Sequence, residues 1–345
     1  MPKVSQFTFR KVKFLLSHKE TDLTETDLQE MYRTMLLSRR LDERMWLLNR
    51  AGKLPFVISC QGQEATQVGA AFALDKEVDI INPYYRDLAL VTHFGMTPEE
   101  TMLSAFARGA DVQSGGRQMP GHFSKKASNI MTQGSAVTTQ IPHAVGASYV
   151  FKMDGEKRVS LATLGEGSTS QGDFHEGLNF AGVHKLPFIC LIENNKYAIS
   201  VPVHLQYAAE KLSDRAIGYG MYGEQVDGND PIAVYKVMKE ARERAVNGEG
   251  ASLIEATSIR LTPHSSDDDD KYREADELQK NKKDDCLESF KLYLLEEKII
   301  DEAWLETAEA EIKDTVNKAT KAAEAAPYAA PEHTLKHVYE EVNNG

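Results

Sequence analysis

Two short polar turns carry the chemistry this sequence offers. Gly165-Glu166-Gly167 closes an apolar run that starts at Val159, and Asn194-Asn195 closes the next, Phe188 to Ile192. A carboxylate from one strand end and an amide oxygen from its neighbour are hard oxygen donors. Such donors suit magnesium, which takes few protein ligands and fills its shell with phosphate and water. The two glycines would let the backbone approach phosphate oxygens closely. Other readings compete. A dinucleotide fingerprint needs a third glycine, but Ser170 stands there, and Glu166 would face a pyrophosphate uncompensated. A Walker loop needs a Lys followed by Ser or Thr, which this turn lacks. The bland reading is a tight turn with a solvated glutamate. Further on, His175-Glu176 lacks the second histidine of a zinc protease, because Asn179 occupies that place. His175 reads instead as a polar residue at a helix start.

Something must hold those turns side by side. Apolar runs at Val78 to Ile81, Val159 to Leu164, Phe188 to Ile192 and Leu253 to Ala256 read as strands. Helical patterns lie between them near 63–74, 98–108, 140–151, 172–184 and 231–247. Alternating β and α units with almost continuously apolar strands predict a mainly parallel, doubly wound α/β sheet with helices on both faces. The turns after both central strands then fall on one carboxyl edge, where such sheets bind ligands. Thr24 and Asp27 form a capping box ahead of Leu28, Met31, Tyr32, Met35, Leu36, Leu41 and Met45, which predicts a long amphipathic helix over 24–50. We expect an N-terminal helical arm (1–55), an α/β core (56–270) and a C-terminal helical extension (271–345), together one structural domain.

The chain has 345 residues, 41% hydrophobic and 27% charged, as in an ordinary globular protein. Its formal net charge of -12 leaves no excess of cations for nucleic acid or an anionic membrane. Cys60, Cys190 and Cys286 are far apart and odd in number, which argues against a disulfide scaffold and for a reducing cytoplasm. The leader, Met1 to Leu16, lacks the apolar run and cleavage site of a signal peptide. No stretch approaches the length of a membrane span.

Gly165-Glu166-Gly167, a spacer of about 26 residues and Asn194-Asn195 together resemble the thiamin diphosphate motif. The wider wording is similar to the alpha chain of the decarboxylating component of 2-oxo acid dehydrogenases, with bacterial branched-chain members nearest. It includes Gly62-Gln63-Glu64-Ala65, Tyr85-Arg86-Asp87, Gly116 to His122, Thr139 to Pro142, Asp227 to Asp230 and Pro263 to Ser266. The resemblance extends from about residue 28 to residue 335, nearly the whole chain.

That resemblance implies a thiamin diphosphate-binding fold and a set of roles. Tyr85 and Arg86 would contact the diphosphate, with backbone of Gly165, Gly167 and Ser168 beside it. Glu166, Asn195 and the Tyr197 carbonyl would hold magnesium. Ser135 and Val137 would flank the cofactor rings, His264 would lie at the cofactor's diphosphate, and Ser135 and His264 would serve catalysis. Gly134, Ala136, Thr139 and Gln140 would form a potassium loop, as in some relatives. Ser265 falls where some relatives are phosphorylated, and roughly two added negative charges there would inhibit. Asp267 to Asp270 would be a solvated loop that orders with cofactor. Glu193 stands where some relatives carry an Arg that reaches the phosphates, so that contact is absent or replaced. The loop after Asp270 is one residue shorter than in some relatives.

The implied function is oxidative decarboxylation of branched-chain 2-oxo acids, such as 3-methyl-2-oxobutanoate, with acyl transfer to a lipoyl group. A beta subunit would complete the site in a heterotetramer of two alpha and two beta chains. A lipoyl-bearing acyltransferase core would receive the acyl group. The near alternative is a pyruvate or acetoin dehydrogenase alpha subunit. The alternative of a different class is a non-catalytic magnesium–diphosphate binding module.

Overall fold

The computed structural model describes residues 16–336. The leader over residues 1–15 and the end of the tail lie outside the described residues. The chain opens with α1 (Glu25–Arg50), α2 (Glu64–Phe72), β1 (Ile80–Asn82), α3 (Leu88–His93) and α4 (Pro98–Ala105). After a long loop, α5 (Gln140–Asp154) leads into β2 (Ser160–Gly165), α6 (Gly172–His184) and β3 (Phe188–Asn194), the βαβ unit read from the sequence. The small strands β4 (Tyr197–Ala198) and β5 (Val201–Pro202) and the short helices α7 (Val203–Gln206) and α8 (Arg215–Tyr219) follow. Then come β6 (Tyr222–Asp227), α9 (Pro231–Val246) and β7 (Ser252–Thr257), and finally α10 (Ala275–Lys283), α11 (Cys286–Glu296) and α12 (Glu302–Ala325).

Five strands pair in parallel in the order β1-β2-β3-β7-β6, while β4 and β5 make a separate antiparallel pair. From β1 to β3 the chain steps across the sheet in one direction. It then jumps to β6 at the far edge and returns to β7. Right-handed crossovers place helices on opposite faces for steps in opposite directions. Accordingly α5 and α6 cover one face through Ile141, Val145, Phe174 and Leu178. On the other face α9 packs through Ile232, Val234 and Met238. Alternate residues of β3 divide between the two cores: Ile189 and Leu191 on the α9 side, Phe188, Cys190 and Ile192 on the α5–α6 side. Strand β6 has no counterpart in the sequence reading. Only Val226 of its six residues is buried, so it carries no apolar run.

Helix α1 begins as its capping box requires: Thr24 Oγ1 accepts the Asp27 N–H, and Asp27 Oδ2 accepts the Thr24 N–H. Its stripe from Leu28 to Met45 is buried. Full burial of each such side chain contributes about 1.5–3 kcal/mol. One polar contact fastens this helix to two others. Arg39 donates from Nε to Glu64 Oε1 at 2.6 Å and, as a two-pronged fork, to Asp285 Oδ2 at 2.8 Å and Oδ1 at 3.0 Å. Glu64 lies in the first turn of α2, and Asp285 caps α11. Glu64 is fully buried, so its charge has no recourse to water. Arg39→Met is therefore expected to destabilise the chain by about 3–5 kcal/mol, read from urea unfolding. A loss within the error of the unaltered protein would show that the triad does not anchor α2.

Candidate functional site

The site follows from the pairing of β2 with β3. Their register sets Gly165 opposite Glu193, so the turns that follow lie side by side at the carboxyl edge. Glu166 is 1% exposed. Its Oε2 accepts the Asn195 N–H at 3.2 Å, and its Oε1 is buried with no hydrogen-bond partner. Burial pushes its pKa upward. Asn195 is pinned at both ends of its amide: Oδ1 accepts the Tyr197 N–H at 3.2 Å, and Nδ2 donates to Gln63 Oε1 at 3.1 Å. Among the described residues no three of His, Cys, Asp and Glu gather in a metal-holding group. A cation here would rest on one carboxylate, an amide oxygen and a carbonyl, a donor set that suits magnesium bound to phosphate.

An open cleft of about 840 Å³ lies over these turns. Tyr85, Arg86 and His264 form one part of its wall, and Gly165, Glu166, Gly167 and Ser168 another. Asn195, Tyr197 and Val137 also line it. Arg86 is almost fully buried. Its Nη1 donates to the Ser59 carbonyl, its Nη2 reaches the His264 carbonyl at 3.3 Å, and its Nε is buried without a partner. Two more guanidiniums stand close. Arg260 donates to the Ile199 carbonyl at 2.9 Å and the Tyr272 hydroxyl at 2.6 Å, and Arg273 donates to the Arg260 carbonyl at 2.7 Å. Burial, then repulsion from Arg86 and Arg273, lowers Arg260 to about 10. An unpaired buried carboxylate oxygen beside crowded cations fits a metal–diphosphate pair, which brings both signs of charge together.

Several expected residues stand elsewhere. Ser135 is outside the cleft wall, with its Oγ 2.6 Å from His122 Nε2. His122 Nδ1 faces the Met119 carbonyl at 2.8 Å, so Nδ1 carries the proton and Nε2 accepts from Ser135. In the loop before α5, Thr139 Oγ1 donates to the Ala136 carbonyl at 2.9 Å, and Gln140, the first residue of α5, donates from Nε2 to the Thr163 carbonyl. Ser265 is 6% exposed, so modification there requires its loop to open. Asp267 to Asp270 are more engaged than a solvated loop. Asp268 accepts from the His264 N–H and the Tyr272 hydroxyl, and Asp270 pairs with Arg273 at 3.5 Å. Glu193 turns under the sheet edge, where its Oε2 accepts from Tyr84 and Gln67 at 3.1 Å. Burial and the nearby Asp87 carboxylate push its pKa well up.

One of the two glycines has a packing reason that the sequence did not show. A Cβ on Gly167 would sit 2.4 Å from Ala198 Cβ, so close packing of β4 demands that glycine. At Gly165 the nearest atom to such a Cβ is 3.9 Å away, which leaves the room a bound phosphate would use. The residues that sequence reasoning missed are the supports: Gln63, Gln67, Tyr84, His122 and Gln206, which donates to the Gly167 carbonyl and Ser170. Gln63 and His122 lie inside family-like segments, but nothing in their spacing assigns them a task.

His264 yields a direct test. Its Nδ1 is 3.3 Å from Arg86 Nη2, and burial, then Arg86 and Arg260, lowers it to about 4. A histidine-selective NMR titration is expected to find it neutral down to about pH 5, with Arg86→Met moving its midpoint upward. A midpoint near the ordinary value of about 6.5 in the unaltered chain would contradict this geometry.

Comparison with known proteins identifies the family of the chain. The family described as "Dehydrogenase E1 component" matches residues 32–332. The chain is 58% identical over 323 residues to the 2-oxoisovalerate dehydrogenase subunit alpha of Bacillus subtilis (strain 168), covering 93% of this chain and 98% of that protein. It is 38% identical over 327 residues to the pyruvate dehydrogenase E1 component subunit alpha of the same strain, covering 93% and 84%. The corresponding subunit of Bacillus cereus is 39% identical over 307 residues, covering 87% and 80%. On the extent of these matches, with the motif turns meeting at one sheet edge, the chain belongs to the dehydrogenase E1 component family.

Proposed function

We propose that this chain is the alpha subunit of a thiamin diphosphate-dependent dehydrogenase that decarboxylates branched-chain 2-oxo acids. The buried, unpaired Oε1 of Glu166 carries the reading. Family membership supports thiamin diphosphate, and the 58% identity to a 2-oxoisovalerate dehydrogenase subunit supports the substrate class over pyruvate. Glu166, Asn195 and the Tyr197 carbonyl would hold magnesium. Tyr85 and Arg86, with the backbone at Gly165, Gly167 and Ser168, would take the diphosphate. The loop with Gly134, Ala136, Thr139 and Gln140 would hold potassium, and Val137 would flank the cofactor rings.

When bound, thiamin diphosphate supplies the electron sink for decarboxylating a 2-oxo acid. The chain's own groups hold and shape the site. Arg86 spreads a planar, permanent charge against phosphate oxygens. His264, held neutral beside two guanidiniums, would offer an imidazole that makes hydrogen bonds without adding charge to the cleft. Ser135 Oγ, whose hydrogen is engaged by His122 Nε2, would be held in one orientation by that bond.

A beta subunit completes this picture. Tyr149, Val150 and Met153 of α5 and Phe180 and Val183 of α6 are large, apolar and exposed on adjacent helices. A contiguous exposed apolar face of this kind marks an interaction surface. Two alpha and two beta chains, a lipoyl-bearing acyltransferase partner and a cytoplasmic setting belong to the same proposal. No helix among the described residues is long and apolar enough to cross a membrane.

With the beta subunit present, Glu166→Ala and Asn195→Ala are each expected to abolish magnesium-dependent thiamin diphosphate binding while leaving the circular dichroism spectrum unchanged. Undiminished affinity in either variant would sink the metal assignment. The substrate assignment has its own check, the kcat/KM for a panel of 2-oxo acids. We expect 3-methyl-2-oxobutanoate to exceed pyruvate by at least about tenfold, and the reverse order would refute it.

A further inference from the structure

Helix α2 places two glutamines beneath the cleft. Gln63 caps the helix and Gln67 follows one turn later, so both lie on one face. Both side chains are fully buried. Around them Ala65, Val68, Ala70 and Ala71 are small, apolar and buried. Amides are costly in such a place unless they are bonded to something specific.

Each glutamine serves a different half of the site. Gln63 Oε1 accepts from Asn195 Nδ2 at 3.1 Å. A metal distinguishes the two ends of an asparagine amide, because the oxygen binds and the NH2 group repels. With Gln63 accepting at one end and the Tyr197 N–H donating at the other, only one orientation of Asn195 satisfies both. Gln67 acts on the opposite wall. Its Nε2 donates to the Arg86 carbonyl at 3.0 Å and to Glu193 Oε2 at 3.1 Å, and its Oε1 accepts the Ala89 N–H at 3.0 Å. It thus grips the main chain on both sides of Asp87 and ties Arg86 to the end of β3.

The helix that carries them is fixed. Glu64 is held by Arg39, and Thr66 Oγ1 donates to the Gly228 carbonyl at 2.8 Å. A Cβ on Gly69 would lie 2.6 Å from the Pro231 carbonyl oxygen, so α2 and α9 are in close backbone contact. A rigid element with short polar arms is what precise positioning of a site needs.

We propose that Gln63 and Gln67 are positioning residues, Gln63 for the metal ligand Asn195 and Gln67 for the diphosphate arginine Arg86. The inference rests on the metal–diphosphate reading of the cleft. Its signature is a split between two binding constants, measured by calorimetry on the chain assembled with its beta subunit, using magnesium chloride and thiamin diphosphate.

Gln63→Leu is expected to raise the half-saturating magnesium concentration about tenfold, while thiamin diphosphate affinity at saturating magnesium stays within about twofold. Gln67→Leu is expected to do the reverse, weakening thiamin diphosphate about tenfold with magnesium dependence unchanged. The glutamate variants separate the roles without removing bulk. Gln63→Glu keeps the accepting oxygen and should bind magnesium at least as tightly as the unaltered chain. Gln67→Glu sets a carboxylate against the Arg86 carbonyl and Glu193, so it should behave like Gln67→Leu. Equal shifts of both constants in every variant, or a fall in Tm alone, would overturn the proposal. If Glu166→Ala retains magnesium dependence, the metal reading itself has failed. If Glu166→Ala loses it while Gln63→Leu binds normally, only the positioning role has failed.

Discussion

A carboxylate taken out of water must find a partner, and Glu166 has half of one. One oxygen accepts a backbone N–H from the neighbouring strand end, and the other is buried with nothing bonded to it. Leaving a buried acceptor unpaired costs roughly 1–3 kcal/mol, and more when it is charged. The rest of the molecule is arranged around that deficit. The parallel pairing of β2 and β3 brings the second donor, Asn195, alongside. At the capping turn of α2, Gln63 Oε1 accepts from Asn195 Nδ2, which would leave the amide oxygen to a cation. A divalent cation would remove the deficit, and a diphosphate would share the cation.

The same logic runs through the charges. The chain is acidic overall, at -12, yet Arg86 lines the cleft and Arg260 and Arg273 stand close enough to act on one another's charge. Repulsion among them, added to burial, is visible in the lowered pKa values of Arg260 and His264. Crowded guanidiniums would be stabilised by an incoming polyanion, which supports the proposed diphosphate. Stability is supplied elsewhere. The Arg39–Glu64–Asp285 triad locks α1, α2 and α11 together, and it does so one residue away from Gln63.

Much of this was legible in the sequence because the signals were local. The capping box at Thr24, the apolar runs of β2, β3 and β7, and the motif turns each depend on a few neighbouring residues. Those residues determine where strands end, and strand ends determine the site. Other features depend on partners distant in the chain and were not legible. Strand β6 is an exposed edge with one buried residue, so its pairing to β7 leaves no hydrophobic trace. The need for glycine at 167 comes from Ala198, which no spacing rule connects to it. Glu193 reads as a departure at a phosphate contact, whereas it points under the sheet edge to Tyr84 and Gln67. Gln63 and Gln67 look like ordinary helix residues until β3 and the Arg86 turn are laid beside them.

The central claim is that Glu166 Oε1 is unpaired because a metal belongs there. The most direct test is diffraction from the chain assembled with its beta subunit, thiamin diphosphate and manganese, with the metal located by anomalous scattering. One peak is expected at about 2.0–2.3 Å from both Glu166 Oε1 and Asn195 Oδ1, with phosphate oxygens completing its shell. A peak that bypasses Glu166, or a cofactor bound with Glu166 Oε1 still touching no cation, would contradict it.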